Sequence, residues 1–266
     1  MALELRRRAV AESRINQTVG EAVAHARDSG QTTERAFGLP EAYAAQVASS
    51  LMAHVARARP RIGEVRLAAR GIGKRYRRRW VIRDVDLVVR AGQTAAVVGA
   101  NGTGKSTFLA ICAGFLTPDA GQVTLHGAVG FCPQDGGTLD YLRPAEHFAL
   151  LGAGRGTPRA EARRTGRDLA ATLQWNADSD DQARHLSGGT RQKLNLVLAA
   201  LGDPEILLLD EPYQGFDQGT YLDFWDQVWQ WRDRGKAVVV VTHLLENLDR
   251  VDTVLDLTPR VSEAEA

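Results

Sequence analysis

A glycine-rich loop between a strand and a helix constrains the fold of this chain more than any other feature. The segment Gly99–Ser106 reads Gly-Ala-Asn-Gly-Thr-Gly-Lys-Ser, follows the apolar run Thr94–Val98 and precedes the helical run Thr107–Gly114. Glycines let backbone N–H groups converge on phosphate oxygens without a Cβ in the way. The following helix points its N-terminal N–H groups at the same anion. In this strand–loop–helix context, the pattern predicts a nucleotide-phosphate site on an α/β fold.

Individual residues of this loop have distinct expected roles. Lys105 should reach the β- and γ-phosphates, and the hydroxyl of Ser106 should bind Mg²⁺. A glycine-rich turn that binds nothing is the less favoured alternative, because the loop lies between a strand and a helix. The residues expected to contact the nucleotide are Gly99, Asn101, Gly102, Thr103, Gly104, Lys105, Ser106 and Thr107.

Two adjacent carboxylates follow a second apolar run. Residues Ile206–Leu209 are apolar, and Asp210 and Glu211 come directly after them. A carboxylate at the end of a buried strand is costly unless it is paired or bound to a metal. We therefore expect Asp210 to bind Mg²⁺, directly or through water, and Glu211 to polarise the water that attacks the γ-phosphate. A strand that ends in a solvated acidic turn is the alternative.

Short β-forming runs alternate with helical segments from Glu64 onward. Runs such as Ile206–Leu209 and Val238–Val241 are continuously apolar, which is typical of strands buried on both faces of a largely parallel sheet. The stretch from Leu139 to His185 contains no predicted strand and is interpreted as a small helical insertion. The predicted strands are Val65–Ala69, Val81–Val89, Thr94–Val98, Gln122–His126, Ile206–Asp210, Ala237–Thr242 and Thr253–Leu257.

The first sixty residues show a different periodicity. Apolar residues recur there at four-residue steps, which favours two amphipathic helices. A partly disordered leader is the alternative. The two apolar series are Ile15, Val19 and Val23, and Tyr43, Val47, Leu51 and Val55.

Charge and cysteine content exclude several classes of protein. The 33 basic and 32 acidic residues nearly cancel, so no nucleic-acid partner is expected. The basic and aromatic run from Arg75 to Trp80 is interpreted as a solvated hairpin tip. Two cysteines, Cys112 and Cys132, exclude a disulfide framework and predict a reducing compartment. No apolar run approaches the roughly 18 residues that cross a bilayer.

Further motifs connect the phosphate loop to a known family. The segment Leu186–Lys193 reads Leu-Ser-Gly-Gly-Thr-Arg-Gln-Lys and resembles the signature motif of ATP-binding-cassette (ABC) ATPases. The resemblance covers about Glu64 to Leu257 and implies ATP and Mg²⁺ as cofactors. The other motifs of that family follow in the expected order, at Tyr76, Gln134, Gln214–Asp217 and Thr242-His243.

The resemblance also implies an architecture. The family fold has a mostly parallel core sheet, an antiparallel β subdomain and a small helical subdomain, here preceded by a short α-helical N-terminal extension. We expect residues 1–60 to form that extension, helical or partly disordered, and residues 61–258 to form the ATPase domain. Residues 139–186 would be its helical subdomain, and residues 259–266 a C-terminal tail.

Roles for the remaining site residues follow from the same resemblance. Tyr76 would stack on adenine, and Gln134 would touch Mg²⁺ or the attacking water and relay the nucleotide state to a partner. His243 would hold the γ-phosphate and orient Glu211 and the water.

The family pairs two cassettes head to tail around two ATP molecules. A second copy of this chain is therefore an expected partner. Ser187, Gly188 and Gly189 of one copy would face the nucleotide of the other, and Asp217 would contact it across the dimer. A helix that begins near Ser187 gives this arrangement a physical basis, since its N-terminus would point at the γ-phosphate.

Departures from the family pattern indicate which subfamily this chain resembles. Thr190 replaces the usual glutamine of the signature, the segment between Lys105 and Gln134 is short, and little chain follows His243. Together these resemble free-standing ATPases of bacterial ABC-2-type exporters. The expectation is an ATPase subunit that powers a separate integral-membrane permease from the cytoplasmic face of a bacterial plasma membrane. The alternative is a soluble, non-transport ABC ATPase of an assembly or cell-envelope complex.

Overall fold

The computed structural model describes residues 62–216, 218–242 and 250–258, with the side chains of residues 218–223 excepted. The predictions for residues 1–60, for Asp217, for His243 and for the tail at 259–266 lie outside the described residues.

A five-stranded sheet forms the centre of the described domain. All of its neighbouring strands pair in parallel, in the order β5-β6-β7-β3-β8. The continuous apolar runs explain this placement, because every residue of β3, β6 and β7 is buried. The strands are β3 (Thr94–Val98), β5 (Val129–Cys132), β6 (Ile206–Asp210), β7 (Ala237–Val241) and β8 (Thr253–Asp256).

A three-stranded antiparallel sheet lies on one side of this core, with the strand order β2-β1-β4. Its strands are β1 (Val65–Tyr76), β2 (Arg79–Arg90) and β4 (Ala120–Leu125). A two-residue turn joins β1 to β2, and Arg77 in that turn has a φ of 57°. The basic run predicted to be a hairpin tip therefore lies at this turn, as expected.

Five α-helices and one short 3₁₀ turn (Ala183–His185) complete the described residues. The stretch that contained no predicted strand holds α2, α3 and the 3₁₀ turn. The helices are α1 (Lys105–Cys112), α2 (Pro144–Gly154), α3 (Arg159–Thr172), α4 (Gly188–Ala200) and α5 (Gln218–Asp233).

The parallel sheet is covered on both faces. Ala96 and Val98 of β3 belong to a core with α4 and α5, whereas Ala95 and Val97 belong to a core with α1 and the antiparallel sheet. Alternate side chains of a strand point to opposite faces, so one strand serves both cores. Trp225 of α5 is buried in the first core.

Each predicted strand is present, and within the described ranges one strand was missed. The four-residue strand β5 contains Gly130 and Cys132 and lies at the edge of the parallel sheet. Both cysteines are buried, as expected for small apolar packing residues. Within the part of the chain that the structure describes, no helix has the length and apolarity needed to cross a bilayer.

Candidate functional site

A cleft of about 950 Å³ lies where the phosphate loop meets the carboxyl ends of β3, β5, β6 and β8. This edge of a parallel sheet is the usual position of a ligand site in an open α/β fold. The residues that line it are Val81, Val98, Gly99, Ala100, Asn101, Gly102, Gly104, Lys105, Ser106, Thr107, Gln134, Glu211, Gln214, Asp256 and Thr258.

The loop backbone requires glycine at its turning points. Gly99, Gly102 and Gly104 have φ values of 142°, 82° and 96°, a region that L side chains rarely adopt. A Cβ at Gly104 would also lie 2.9 Å from the side chain of Val81 and 2.8 Å from that of Ile82. The loop therefore holds its curved shape only with these glycines.

Lys105 lies beneath the loop and is only 6% exposed. Its Nζ donates hydrogen bonds to the carbonyl of Gly99 at 2.9 Å and to that of Ala100 at 3.2 Å. The hydroxyl of Thr103 also donates to Ala100, at 2.9 Å. Of the predicted phosphate contacts in the loop, Thr103 alone is not among the described residues that line the cleft.

Helix α1 begins directly after the loop, at Lys105. Its N-cap residue, Gly104, adopts a left-handed conformation and has no side chain that could cap the helix. The first N–H groups of a helix have no partner within the helix. Together with the lysine, this helix end gives the loop positive charge that is suited to an anion such as a phosphate group.

Asp210 is the last residue of β6 and is 3% exposed. Burial raises its pKa to about 6, while a hydrogen bond with Ser106 acts in the opposite direction. Its Oδ1 atom is buried and has no hydrogen-bond partner in the described part of the chain. A buried carboxylate with an unpartnered oxygen beside a hydroxyl group is suited to a divalent cation.

Glu211 follows in an unusual backbone conformation. Its φ is 44°, which is uncommon for a residue with a Cβ, and its N–H donates to the carbonyl of Val241 on β7 at 3.2 Å. The carboxylate lines the cleft, where the Nε2 atom of Gln134 donates to its Oε2 at 3.4 Å. Strained backbone of this kind is found at functional sites, where the surrounding structure holds it in place.

The donor set fits Mg²⁺ bound together with phosphate oxygens. Mg²⁺ is usually held by one or two carboxylates, with water and substrate phosphates as the remaining ligands. Ser106 and Asp210 supply a hydroxyl and a carboxylate at the base of the loop, and Gln134 supplies an amide nearby. Among the described residues there is no group of three or more His, Cys, Asp or Glu that could hold a metal ion alone.

The predicted signature motif forms the N-terminus of α4. The Ser187 hydroxyl accepts a hydrogen bond from the Thr190 N–H at 3.2 Å, a standard N-cap, and lies 2.8 Å from the Thr190 hydroxyl. Ser187 and Gly188 are exposed, and the motif is not among the described residues that line the cleft. Gly189 packs tightly, because a Cβ there would lie 2.4 Å from the carbonyl oxygen of Gly215.

Tyr76 lies at the tip of the β1–β2 hairpin and is 49% exposed. The Nζ of Lys74 is 6.0 Å from its ring centroid. Tyr76 is not one of the described residues that line the cleft, whereas Val81 of β2 is. Asp217 and His243 lie outside the described residues, so their roles stay predictions.

Six of the described cleft residues were missed by sequence reasoning, of which Val98 and Ala100 lie in the predicted strand and loop themselves. Gln214 lies within a motif that was recognised, so its position could have been inferred. Val81, Asp256 and Thr258 reach the cleft through the folding of β2 and β8, and no local pattern marks them. The carboxylate of Asp256 accepts a hydrogen bond from the N–H of Thr258 at 2.8 Å, which shapes the chain beside Gly99.

Comparison with known proteins identifies a family to which this chain is similar. A family model described as ABC transporter matches residues 82–214, half of the chain. The taurine import ATP-binding protein TauB of Pseudomonas aeruginosa is 33% identical over 188 residues, which cover 65% of this chain and 69% of that protein. The Nod factor export ATP-binding protein I of Ralstonia nicotianae is 30% identical over 201 residues, which cover 70% and 61% of the two chains.

A third relative is much longer. The cholesterol transporter ABCA5 of Rattus norvegicus is 31% identical over 206 residues, which cover 71% of this chain but 12% of that protein. Among solved structures, the dimeric structure of a bacterial ABC transporter cassette matches with a TM-score of 0.67 and 22% identity, over 72% of this chain and 94% of that chain. This structural match establishes the cassette fold.

Proposed function

The chain belongs to the ABC transporter family of ATP-hydrolysing cassettes, and we propose that it is the ATP-binding and ATP-hydrolysing subunit of a transporter. One observation supports this most strongly. A single cleft is lined by the glycine loop, the buried Lys105 and the Gln134–Glu211 pair. The buried Asp210 interacts with Ser106 of that loop, and its Oδ1 has no hydrogen-bond partner among the described residues.

The loop would bind the phosphates of ATP. The backbone N–H groups of residues 99–106 and the N-terminus of α1 stabilise negative charge there. The Nζ of Lys105 would exchange its hydrogen bonds to Gly99 and Ala100 for contacts with the β- and γ-phosphates. The same cleft is lined by Asn101, Gly102 and Thr107, which would also contact the phosphates. Thr103 stabilises the loop through its hydrogen bond to the carbonyl of Ala100. Tyr76 at the hairpin tip remains the proposed adenine contact.

Ser106, Asp210 and Gln134 would hold Mg²⁺. When bound, the cation neutralises phosphate charge and fixes the orientation of the phosphate group. The hydroxyl of Ser106 acts to lower the pKa of Asp210, which favours the ionised carboxylate that a cation requires. Burial of Asp210 makes an accompanying cation especially favourable, because the charge has little contact with water.

Glu211 would act on the attacking water. The hydrogen bond from Gln134 orients its carboxylate toward the cleft. The proposed roles of His243 are to hold the γ-phosphate and to orient Glu211 and the water. Catalysis of this kind depends on positioning and on charge stabilisation rather than on covalent chemistry.

A second copy of the chain would complete the site. Ser187, Gly188 and Gly189 are at the N-terminus of α4, and the first two are exposed to solvent. In a head-to-tail pair, that helix end would stabilise the γ-phosphate bound to the other copy. Asp217 would contact the nucleotide across the same interface. The matched cassette is described as dimeric, which supports this arrangement by analogy.

Closure and reopening of that dimer would drive an integral-membrane permease. The named relatives include an importer subunit and an exporter subunit, so the family alone leaves the direction of transport open. We propose export, on the short segment between Lys105 and Gln134 and on Thr190, which replaces the usual glutamine of the signature motif. The subunit would then lie at the cytoplasmic face of a bacterial plasma membrane, attached through the permease.

Affinity purification of a tagged Glu211→Gln chain from detergent-solubilised native membranes would test the transport role. This variant should accumulate the ATP-bound dimer and hold its partners. A stoichiometric multi-span membrane protein is the expected result. Recovery of the chain with only cytosolic partners would instead support the alternative, a soluble ABC ATPase in an assembly or cell-envelope complex.

A further inference from the structure

Two buried amide side chains lie on one face of helix α4. Gln192 is 5% exposed and Asn195 is 3% exposed. Residues three apart on a helix are neighbours, so these two amides form one polar group on an otherwise apolar, buried face. An apolar residue would be the less costly choice at such a position, which indicates that the amides have specific partners.

Their partners belong to one short segment after β5. The Nδ2 of Asn195 donates to the carbonyl of Gly136 at 2.8 Å, and the Nε2 of Gln192 donates to the carbonyl of Pro133 at 3.4 Å. The Gln192 amide also lies 3.7 Å from the sulfur of Cys132. Asn195 donates a second bond to the Oε1 of Gln192 at 3.2 Å, which connects the two amides.

The segment that they hold contains Gln134. Pro133 comes immediately before it and Gly136 comes two residues after it, so the helix binds the chain on both sides of this side chain. The fit is close, because a Cβ at Gly137 would lie 2.6 Å from the Oδ1 of Asn195. Gly137 also has a φ of 78°, a conformation that favours glycine.

We propose that Gln192 and Asn195 are positioning residues for Gln134, and that α4 uses them to set the distance between Gln134 and Glu211. This inference rests on the proposed function. Because α4 begins directly after the exposed N-cap Ser187, one helix connects the surface that would meet a second copy with the segment that carries Gln134. A shift of α4 on dimer closure would therefore move the Gln134 amide relative to Glu211.

A double-mutant cycle tests the action through Gln134. Asn195→Ala should lower kcat for ATP hydrolysis about tenfold, the effect of one lost buried hydrogen bond, and leave ATP affinity unchanged within about twofold. In a Gln134→Ala background the same substitution should change kcat by less than about twofold. An equal loss in both backgrounds would show that Asn195 does not act through Gln134.

Two further variants serve as a second test and as a control. Gln192→Met keeps the side-chain volume but removes the donor to Pro133, so it should lower kcat in the same direction even if Asn195→Ala folds poorly. Gln227→Ala removes a buried amide from α5 and should leave kcat and KM for ATP at their wild-type values. A Gln192→Met chain with wild-type kcat would overturn the proposal.

Thiol labelling of the nucleotide-free chain provides a readout that needs no hydrolysis. Cys132 and Cys112 are both buried, and Cys132 directly precedes the held segment. In Asn195→Ala, labelling of Cys132 should accelerate about tenfold, while labelling of Cys112 stays at the wild-type rate. Unchanged labelling of Cys132, or equal acceleration at both cysteines, would contradict the proposal that Asn195 holds the segment around Gln134. Absence of hydrolysis by the wild type would overturn the proposed function and leave this result interpretable.

Discussion

The amide of Gln134 and the carboxylate of Glu211 meet across two neighbouring parallel strands, with the Nε2 of Gln134 3.4 Å from the Oε2 of Glu211. Gln134 follows β5 by two residues, and Glu211 directly follows β6. Because β5 and β6 pair in parallel, their carboxyl ends lie at one edge of the sheet. Two motifs that are 77 residues apart in the chain therefore form one unit beside the phosphate loop.

Lys105→Ala should weaken ATP binding about tenfold to a hundredfold, since a hydrogen bond to a charged group is lost at the phosphates. Equilibrium binding of a fluorescent ATP analogue measures this. Arg164→Ala, a change at an exposed position of α3, removes a positive charge elsewhere and should leave affinity unchanged. Equal affinity for wild type and Lys105→Ala would argue against the phosphate-loop assignment.

Asp210→Asn should have opposite effects on the stability of the chain and on its binding of Mg²⁺. Replacing a buried carboxylate by a neutral amide should raise the free energy of unfolding of the nucleotide-free chain by about 1 to 3 kcal/mol. The same change should remove the dependence of ATP binding on Mg²⁺. Urea unfolding and ATP titrations with and without Mg²⁺ measure the two effects. A less stable variant that retains Mg²⁺-dependent binding would contradict the role assigned to Asp210.

Gly189→Ala and Gly188→Ala form a matched pair at the start of α4. A Cβ at Gly189 would lie 2.4 Å from the carbonyl oxygen of Gly215, whereas one at Gly188 would meet nothing among the described residues within 4 Å. Gly189→Ala should therefore lower the free energy of unfolding by about 1 to 3 kcal/mol, and Gly188→Ala should change it little. Thermal unfolding compares them, and equal midpoints would show that Gly189 is not packed against Gly215.

Buried His147 should make the stability of the chain depend on pH. Its Nε2 accepts a hydrogen bond from the Leu139 N–H at 2.8 Å, and its Nδ1 lies 2.9 Å from the carbonyl of Arg143. Burial lowers the pKa of His147 below its usual 6.5. The unfolded chain therefore takes up the proton first, and this contribution to stability, complete above pH 6.5, is lost as the pH falls toward the lowered pKa.

His147→Gln should flatten this dependence, and His126→Gln, at an exposed position, should preserve it. Urea unfolding between about pH 5 and pH 8, the range in which histidine titrates, measures the slope. If wild type and His147→Gln lost stability in parallel on acidification, the contact between His147 and Leu139 would not be its source.

The strands of the core could be predicted because their apolar runs are continuous. In Ile206–Leu209 and Val238–Val241 the side chains on both faces of the sheet are apolar, so composition alone indicates burial. The strand Val129–Cys132 escaped prediction because it is short and contains a glycine. That glycine exists for a tertiary reason, since a Cβ at Gly130 would lie 2.0 Å from the carbonyl oxygen of Ala199.

The candidate site could be inferred from sequence where several candidate residues fall in one short motif. Lys105, Ser106, Asp210 and Glu211 each belong to such a run. Val81 and Asp256 reach the cleft only through the packing of distant strands, which local sequence does not encode. Asn195 could be assigned to a helix, but its partner, the Gly136 carbonyl, is 59 residues away in the chain.

ATP turnover by the wild type and by Glu211→Gln, measured beside nucleotide affinity and oligomeric state, tests the central claim most directly. The wild type should hydrolyse ATP in the presence of Mg²⁺, and Glu211→Gln should lose at least about a hundredfold in kcat, the contribution expected of a general base. The variant should retain ATP affinity and accumulate a dimer with ATP. Undiminished turnover by Glu211→Gln, or a wild type that binds no ATP, would contradict that claim.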